Sequence, residues 1–499
     1  MISSLLVIVD HLIMKEKIKD MHRKIKYYTS SLLLIVALVS CESFFEKDPY
    51  DSTKKEDIIT NEKDAQTLLY GMYAGFKSSA SYGTYLTVLT DIMTDASLAS
   101  AGFTNQMGDL YAWKINPGTS EVGAVWSNHY ASIYNTNYIL NGIDEIEGDV
   151  DNINRLKGEA LAGRALLHYN LVRLYGKAYN ATTSATDLGV PYITNNDITS
   201  PSRHTVAEVY KYIVDDLEDA EVLLQDNMYY DNMVFTKDFV KGLMARVLLD
   251  MKNYDGAIAY ATQLIESPSY ALSEGLGFIN MWLHDSGSEI IWRVGYSPTD
   301  YGAAPGYNFY NRNNSNTLPL PDYIPAEWWV NSFNPSLDVR YTSYLTYTQT
   351  GFGWTGHLIR KYPTNPAYTS QGLNMPKPMR LAEMYLIRAE AHAYNNTDDL
   401  ARDDINELLS KRIIDFTGIS LSGDDLKEYI ADERKRELMF EGFYWFDLKR
   451  MGKGFERVPQ ANTSTANDLQ IAADDYRWQW PIPTSELNGN ENIEQNAGY

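Results

Sequence analysis

Apolar residues recur at spacings of three and four positions along most of this chain from Asn61 onwards, which is the pattern of amphipathic helices. Strand-like segments are few and short. The chain is therefore predicted to fold as a mostly α-helical protein. The clearest helical segments cover residues 61–79, 122–147, 152–176, 204–226, 236–251, 254–266, 378–395, 398–412 and 424–451.

Two of the predicted helix pairs share a spacing of alanines. Ala245 stands 12 residues before Ala257, and Ala389 stands 12 residues before Ala401. Side chains this small let two antiparallel helices approach closely. The pattern is similar to tetratricopeptide repeats, whose helix-turn-helix units stack into an array. An ordinary helical hairpin can also place alanine at a close crossing, so this alternative stays open.

Charge and aromatic content narrow the range of partners. The chain carries 65 acidic residues against 43 lysines and arginines, a formal net charge of −22. This excess repels phosphate backbones, so nucleic acid is not an expected partner. The 38 tyrosines and 10 tryptophans outnumber the 15 phenylalanines. Because these amphipathic rings suit wet binding surfaces, sugars and peptides are the expected ligands.

Cys41 is the only cysteine, and it follows an apolar run of eight residues, Leu32 to Val39. That run is too short to cross a bilayer, which takes about 20 residues. With the basic segment before it, the run predicts a signal peptide over residues 1–40. Residues 38–41 read Leu-Val-Ser-Cys, which resembles a bacterial lipobox, so Cys41 is predicted to be acylated, for example by palmitate. A buried free cysteine is the alternative.

The first 13 residues carry an apolar run of their own before the basic segment begins. Signal peptides do not normally start in this way. Met14 and Met21 each begin a conventional basic segment. We therefore expect that the first 13 or 20 residues come from a misassigned start codon.

Motifs of catalysis are missing from the sequence. The histidines are scattered without HExxH spacing, and there is no GxSxG motif or P-loop. We therefore predict no enzyme activity, no catalytic residue, no cofactor and no metal site. A glycosidase needs only two carboxylates, and the pairs Asp91/Asp95 and Asp322/Glu327 keep that alternative open. With 65 acidic residues, such pairs also arise by chance.

Residues 267–377 are crowded with proline, glycine, asparagine and aromatic residues, so regular helices are not expected there. This segment and a second loop near residue 103 combine aromatic rings with amide and guanidinium groups, as sugar-binding surfaces do. Local packing is the alternative for each ring. The predicted ligand-binding residues are Phe103, Asn105, Tyr111 and Trp113 in the loop near residue 103 and Tyr296, Tyr301, Tyr307, Asn308, Tyr310 and Arg312 in the segment 267–377.

Three blocks near the end of the chain carry a family resemblance. They are MRLAEMYLIRAEAHAYNN at 379–396, ERKRELMFEGFYWFDLKRMG at 433–452 and WPIPTSELNGNENIEQNAGY at 480–499. Together they resemble the SusD/RagB family of outer-membrane nutrient-binding lipoproteins. Ala497 stands where the family usually has proline, and Met451 where tryptophan is common. The resemblance extends over nearly all of residues 41–499.

The resemblance implies a fold and a function. It implies a mostly α-helical, SusD-like superhelix in which tetratricopeptide-like repeats, four in the family, support a loop-rich lobe. Within 41–499 we expect a helical part to residue 266, a loop-rich ligand lobe over 267–377 and a motif-bearing part over 378–499. It also implies a lipid-anchored outer-membrane protein that captures oligosaccharide at the cell surface, in polysaccharide utilisation, and delivers it to a SusC-like TonB-dependent transporter.

The family also includes peptide binders, so a peptide ligand is the main alternative, ahead of a glycoside hydrolase or a surface scaffold without a ligand. The block at 433–452 is expected to be architectural. In it, Asp432 and Arg436 are predicted to form an i,i+4 ion pair. Its carboxylates, Glu437, Glu441 and Asp447, are expected to belong to a charge-rich helix and not to a catalytic site.

Overall fold

A computed structural model describes residues 11, 13–28, 58–226, 232–310, 318–370, 372–464 and 467–499. Cys41, the predicted acylation site, and Arg312, a predicted ligand residue, lie outside the described residues. The chain divides into two compact units, Met1–Ile58 and Ile59–Tyr499. In the first unit residues 13–28 are helical and exposed. Within the described residues, no helix combines the length and apolar character that a membrane-spanning segment needs.

Eleven helices of eight or more residues lie in the described part of the second unit, and most begin and end within three residues of the bounds predicted from periodicity. They are α1 (Glu62–Lys77), α2 (Ser120–Gly142), α3 (Val150–Tyr175), α4 (Val206–Leu223), α5 (Lys237–Asp250), α6 (Tyr254–Ile265), α7 (Gly275–His284), α8 (Leu381–Tyr394), α9 (Asp398–Ser410), α10 (Gly423–Leu438) and α11 (Tyr444–Met451).

Side-chain caps explain where several helices begin. The Asn61 side chain accepts hydrogen bonds from the backbone N–H groups of the first turn of α1. Thr205 and Glu208 form a reciprocal capping box at the start of α4, and Thr236 accepts from Phe239 N at the start of α5. These contacts satisfy N–H groups that have no partner within the helix.

The long helices pack in chain order, and in the described part α1 packs with α2, α3 with α4, α5 with α6, and α8 with α9. Each pair also contacts the next, α6 contacting α8. Ala245, Ala257, Ala389 and Ala401 are all fully buried. The structure thus confirms the mostly α-helical, tetratricopeptide-like fold.

The predicted helix over 424–451 is wrong as a single helix. It is broken between α10 and α11 by Phe440 and Gly442, whose φ angles are 61° and 82°. A Cβ on Gly442 would lie 1.8 Å from the carbonyl oxygen of Leu86, so only glycine fits this close approach. The apolar pattern continues across the break, because Leu438, Phe443 and the first turn of α11 are buried together.

The segment between α6 and α8 is more regular than predicted. It contains α7, where Phe278, Met281 and Trp282 are buried at helical spacing, so the expectation of no regular helix there is wrong. The division of residues 41–499 at 266 and 377 stays a prediction. The shorter helical turns are Tyr85–Leu89 (π), Thr90–Ile92, Gly108–Tyr111, Ile143–Glu145 (3₁₀), Tyr307–Tyr310, Glu327–Val330, Val339–Tyr344, Tyr476–Trp478 (3₁₀) and Thr484–Gly489.

Strands are few and short, as predicted, and those in the described part form two-stranded antiparallel sheets. In the sheet of β1 and β3, Leu98 lies opposite Ile324. The pairs are β1 (Ser97–Ala99) with β3 (Tyr323–Pro325), β2 (Ile290–Trp292) with β6 (Met379–Arg380), β4 (Leu345–Gln349) with β5 (Thr355–Ile359), and β7 (Phe455–Arg457) with β8 (Leu469–Ile471).

A buried network of charges joins α10 to the loop-rich segment. Glu437 lies 2.6 Å from Arg380, 2.9 Å from Arg412 and 3.0 Å from Arg340. Burial alone would raise the pKa of Glu437, but the three guanidinium charges outweigh it and hold that pKa well below its usual range. Glu441 extends the network, at 2.8 Å from Arg380. Paired in this way, these buried charges are structural.

Two predictions about this block have opposite outcomes. The expected ion pair between Asp432 and Arg436 is wrong, because Asp432 pairs with Lys435 at 2.6 Å and Arg436 pairs with Glu433 at 2.8 Å. In both observed pairs the partners stand three positions apart, so Arg436 does not pair with Asp432, four positions before it. Asp447, by contrast, is buried between arginines of α10 and α11, which agrees with the expected architectural role.

Candidate functional site

Four of the predicted ligand residues are buried: Trp113 is 1% exposed, Tyr111 2%, Tyr296 5% and Asn308 5%. The Trp113 ring lies 4.8 Å from the ring of Trp478, and its Nε1 donates to a backbone carbonyl at 2.7 Å. Side chains with so little exposed surface have no face open to a ligand. Local packing, the alternative interpretation, describes these four residues.

The loop that carries Phe103 and Asn105 remains at the surface. Phe103 is half-buried, with its ring 5.3 Å from that of Tyr323, and Asn105 is exposed. Thr104 donates through its backbone N and its Oγ1 to Asp322 Oδ1, at 2.7 and 2.6 Å. These hydrogen bonds hold the loop in a fixed position over β3.

Asp322 also joins the two predicted loop regions. Its backbone N donates to the carbonyl of Asn308 at 3.0 Å, and its own carbonyl accepts from Ser100 N at 2.8 Å. The helical turn Tyr307–Tyr310 and the loop at Phe103 are therefore both hydrogen-bonded to the segment at Asp322. The fold brings together regions that are about two hundred positions apart in sequence, which local patterns do not reveal.

Further aromatic side chains that the sequence reasoning missed lie at this place. Phe352 packs directly on the backbone of Gly102, where a Cβ would come within 2.3 Å of the ring. Trp328 and Trp354 pack with Tyr310 against a small core cluster that includes Leu98, Ile324 and Leu358. We name the half-buried rings of Phe103, Tyr310, Trp328, Phe352 and Trp354 the aromatic surface. A sequence signal was present in GFGWTG at 351–356, where glycines flank two aromatic residues.

Polar groups border the aromatic surface. Exposed Asn105 lies beside Phe103 in sequence, and the carbonyl of Asn462 accepts a hydrogen bond from Ala101 N at 2.8 Å. The Gln460 side chain is held by β3 and the turn after it, donating to Pro325 O and accepting from Glu327 N. Flat rings beside amide groups can stack on a sugar ring and bond to its hydroxyls.

Tyr301 and Tyr307 are 44% and 41% exposed. Tyr307 and Tyr310 stand three positions apart in one helical turn, so they face the same side and Tyr307 adjoins the aromatic surface. The Tyr301 ring lies instead near that of Tyr368, with 6.4 Å between ring centres. Of the predicted residues, Phe103 and Asn105 belong to the loop bound to Asp322, Tyr307 and Tyr310 belong to the helical turn that Asp322 also bonds to, and Tyr301 has different neighbours.

In each carboxylate pair considered for glycoside hydrolysis, at least one member is buried and has a partner within the chain, while Glu327 is exposed. Asp91 is fully buried and accepts hydrogen bonds from Gly442 N and Tyr444 N, which places it at the start of α11. Burial raises the pKa of Asp91 to about 7 in spite of these donors. Asp95 accepts from the Tyr444 hydroxyl at 3.0 Å. Asp322 is 2% exposed and anchors the Phe103 loop.

No group of three or more metal-ligating side chains occurs among the residues whose positions the structure gives.

Comparison with known proteins supports the resemblance seen in the C-terminal blocks. The profile of the SusD family matches residues 299–499, and a profile described as "Starch-binding associating with outer membrane" matches residues 43–249. The chain belongs to the SusD/RagB family. Both parts of the family are thus present, one in the helical half and one in the half that carries the motif blocks.

Individual relatives agree with this membership. SusD-like protein P38 of Formosa agariphila is 23% identical, covering 96% of this chain and all of the relative. Starch-binding protein SusD of Bacteroides thetaiotaomicron is 34% identical over 122 residues, 24% of this chain and 21% of that protein.

Solved structures of the SusD superfamily share the fold. One from Bacteroides vulgatus has a TM-score of 0.78 at 26% identity, and one from Bacteroides thetaiotaomicron has a TM-score of 0.77 at 25% identity. In each case 88% of this chain and all of the other chain are covered. The fold is therefore shared with these structures over most of this chain.

Proposed function

We propose that this protein is a non-enzymatic receptor that captures oligosaccharide on its aromatic surface. The observation that carries the proposal is that the segments bearing Phe103 and Tyr310 both bond to Asp322, next to the core cluster on which Tyr310 and Trp354 pack. Sugar rings present apolar C–H faces that stack on such rings, and their hydroxyls pair with amides. The starch-binding description of one matching profile and of one relative supports the same ligand class.

The proposal favours binding over hydrolysis because three of the four candidate carboxylates, those of Asp91, Asp95 and Asp322, already have partners within the chain. A glycosidase needs two carboxyl groups that face each other across the scissile bond. Asp91 caps a helix in the interior, and Asp322 anchors a loop. Neither is available on the aromatic surface to donate a proton or to attack a sugar.

The capture site is proposed to lie on the outer face of the outer membrane, anchored by lipid on Cys41. The family description as associating with the outer membrane supports this location. Replacing Cys41 with Ser should release the protein from the membrane fraction, because the thiol is the acylated group. Retention of the variant in membranes would contradict the lipid anchor.

The captured ligand is proposed to pass to a SusC-like TonB-dependent transporter. This part rests on family membership. Tagged full-length protein, extracted in mild detergent from its native cell, should co-purify with a large β-barrel transporter. Repeated isolation without any such partner would count against the delivery step and would leave ligand capture untouched.

A glycan array probed in parallel with a peptide library tests the ligand class. Oligosaccharides should bind, and Phe103→Ala should weaken them by about 30-fold, the usual loss of ~2 kcal/mol for an anchor residue. Tyr347→Ala is the matched control, because Tyr347 is 65% exposed on β4 and lies outside the aromatic surface. Binding of peptides alone would establish the peptide alternative, and equal binding by both variants would place the site elsewhere.

A further inference from the structure

A second cleft, with a volume of about 650 Å³, opens between α1 and residues 292–300. Sites for small ligands commonly have volumes of about 300–1,000 Å³. None of its lining residues belongs to the aromatic surface. Among its lining residues are Tyr70, Tyr73, Lys77 and Asp300, with the buried rings of Trp292 and Tyr296 behind them.

Ring faces form the inner part of this cleft. Phe76 and Trp292 are each 1% exposed and pack edge to face, with 5.5 Å between ring centres. The Tyr73 hydroxyl donates to Glu159 at 2.6 Å and accepts from Phe235 N at 2.7 Å, which fixes the orientation of its ring. Tyr70, by contrast, is 62% exposed, so its ring is available at the surface.

The rim of the cleft carries a donor beside an acceptor. Lys77 Nζ lies 2.5 Å from Asp300 Oδ2. The Lys77 side chain is 19% exposed and that of Asp300 74%, so the remaining oxygen positions of the carboxylate are open to a ligand. An ammonium group provides three N–H donors, of which Asp300 occupies one.

The rim is held firmly to the helix array. Backbone hydrogen bonds run in both directions between Ser297 and Asp300, at 2.9 and 3.2 Å. Ala303 N donates to the carbonyl of Lys77 at 3.1 Å. A Cβ on Gly302 would lie 2.1 Å from that same oxygen, so the rim can approach α1 only because residue 302 is glycine. Such a preformed rim requires little ordering when a ligand binds.

We propose that this cleft is a second carbohydrate subsite, which takes a neutral pyranose residue through two adjacent hydroxyl groups. One hydroxyl donates to the Asp300 carboxylate while its neighbour accepts from the Lys77 ammonium, and the sugar face lies against Tyr70. Hydrogen bonds to charged groups are about twice as strong as those between neutral groups. The pair has no net charge, so a neutral ligand leaves it balanced. The subsite extends the proposed oligosaccharide capture and shares its ligand class.

The subsite is tested with maltose, cellobiose and xylobiose as probes, using saturation-transfer NMR on the full chain. Ala74 is exposed and lines the cleft, so Ala74→Trp should fill it and weaken probe binding at least tenfold. Thr67→Trp is the control, because Thr67 is exposed two turns earlier on α1 and does not line the cleft. Lys77→Met, which keeps the stem and removes the donor, should weaken binding at least fivefold with little change in thermal midpoint.

The outcomes separate this subsite from the aromatic surface. Disaccharide binding that falls with Ala74→Trp and persists with Phe103→Ala supports the cleft, whatever happens to longer glycans. If disaccharide binding persists in Ala74→Trp, the subsite is overturned. If disaccharide binding is instead lost in Phe103→Ala, the proposed function stands without the subsite. Absence of binding by all three disaccharides at about 10 mM, the limit of weak recognition, would also overturn it.

Discussion

The block at 433–452 and the aromatic surface use the same kinds of chemistry for different ends. In the block, Glu437 and Glu441 are buried and each is matched by guanidinium groups. On the aromatic surface, the rings of Phe103 and Trp354 are half-buried, and the Asn105 side chain near Phe103 is exposed. The block has its partners within the chain, whereas the surface retains ring area that a ligand could cover. The region most recognisable in sequence is thus the one that builds the fold, and ligand specificity is expected elsewhere.

Breaking the buried network should have the largest effect. Glu437→Ala would leave Arg340, Arg380 and Arg412 without their shared carboxylate in the interior. Removing one partner of a buried ion pair commonly costs about 3–5 kcal/mol of unfolding free energy. Urea unfolding should show this loss, while Glu456→Ala, at an exposed position of β7, should change stability by less than about 0.5 kcal/mol. Equal stability of the two variants would show that the network is not structural.

Trp113 gives the next test of which aromatic residues support the core and which contact the ligand. Its burial against Trp478 predicts that Trp113→Ala destabilises the fold by about 3–5 kcal/mol, as large-to-small core substitutions do. Tyr301→Ala, at a 44% exposed ring, should cost no more than about 1 kcal/mol. Thermal or urea unfolding measures both. If Trp113→Ala keeps the stability of the unchanged protein, Trp113 does not support the core and is again a candidate ligand contact.

Acid should weaken the helix array through its buried histidines. Burial lowers the pKa of His129 to about 4 and that of His168 to about 3, against about 6.5 in the unfolded chain. Below pH 6.5 the unfolded state therefore binds more protons than the folded state. The buried, neutral histidines therefore contribute fully to the free energy of unfolding above pH 6.5, and this contribution falls as the pH drops toward 4. In urea unfolding from pH 7 to 4, His129→Leu should show a shallower decline; an unchanged slope would contradict the assignment.

Tyr307 should give the smallest effect, on binding alone. The ring is 41% exposed and adjoins Tyr310 in one helical turn, so it adds stacking area without supporting the core. Tyr307→Ala should weaken oligosaccharide binding by about 1 kcal/mol, roughly fivefold, with little change in unfolding. Tyr307→Phe keeps the ring and should retain most of the affinity. A fall in the thermal midpoint of Tyr307→Ala would show that this residue supports the fold.

Periodicity predicted α1 to α6 well, because their apolar faces repeat at helical spacing and caps such as Thr205 mark their starts. It failed between α10 and α11, where the break depends on the backbone of Gly442 meeting Leu86, a contact from the other end of the chain. It also missed α7, whose neighbouring sequence is rich in glycine and proline. These failures share a cause: tertiary contacts decided the local structure.

Only part of the site could be predicted from the sequence, again because tertiary contacts decide which rings are exposed. The sequence predicts Phe103 and Tyr310 as ligand-binding aromatic residues in loops, and in the fold both of their segments bond to Asp322. Trp113 looked equivalent in sequence, yet Trp478 covers it from far along the chain. Phe352 and Trp354 were overlooked because a short strand-turn-strand segment gives little local signal, although the glycines around them mark a turn.

Hydrogen–deuterium exchange with and without a saturating oligosaccharide tests the division between architecture and recognition most directly. Exchange is predicted to slow on ligand binding at residues 102–106, 307–310 and 350–354, the segments that carry rings of the aromatic surface. Peptides covering 433–452 should already exchange slowly and should not change, because the carboxylates there have partners within the chain. Protection confined to 433–452, with no change in the three loop segments, would contradict the account.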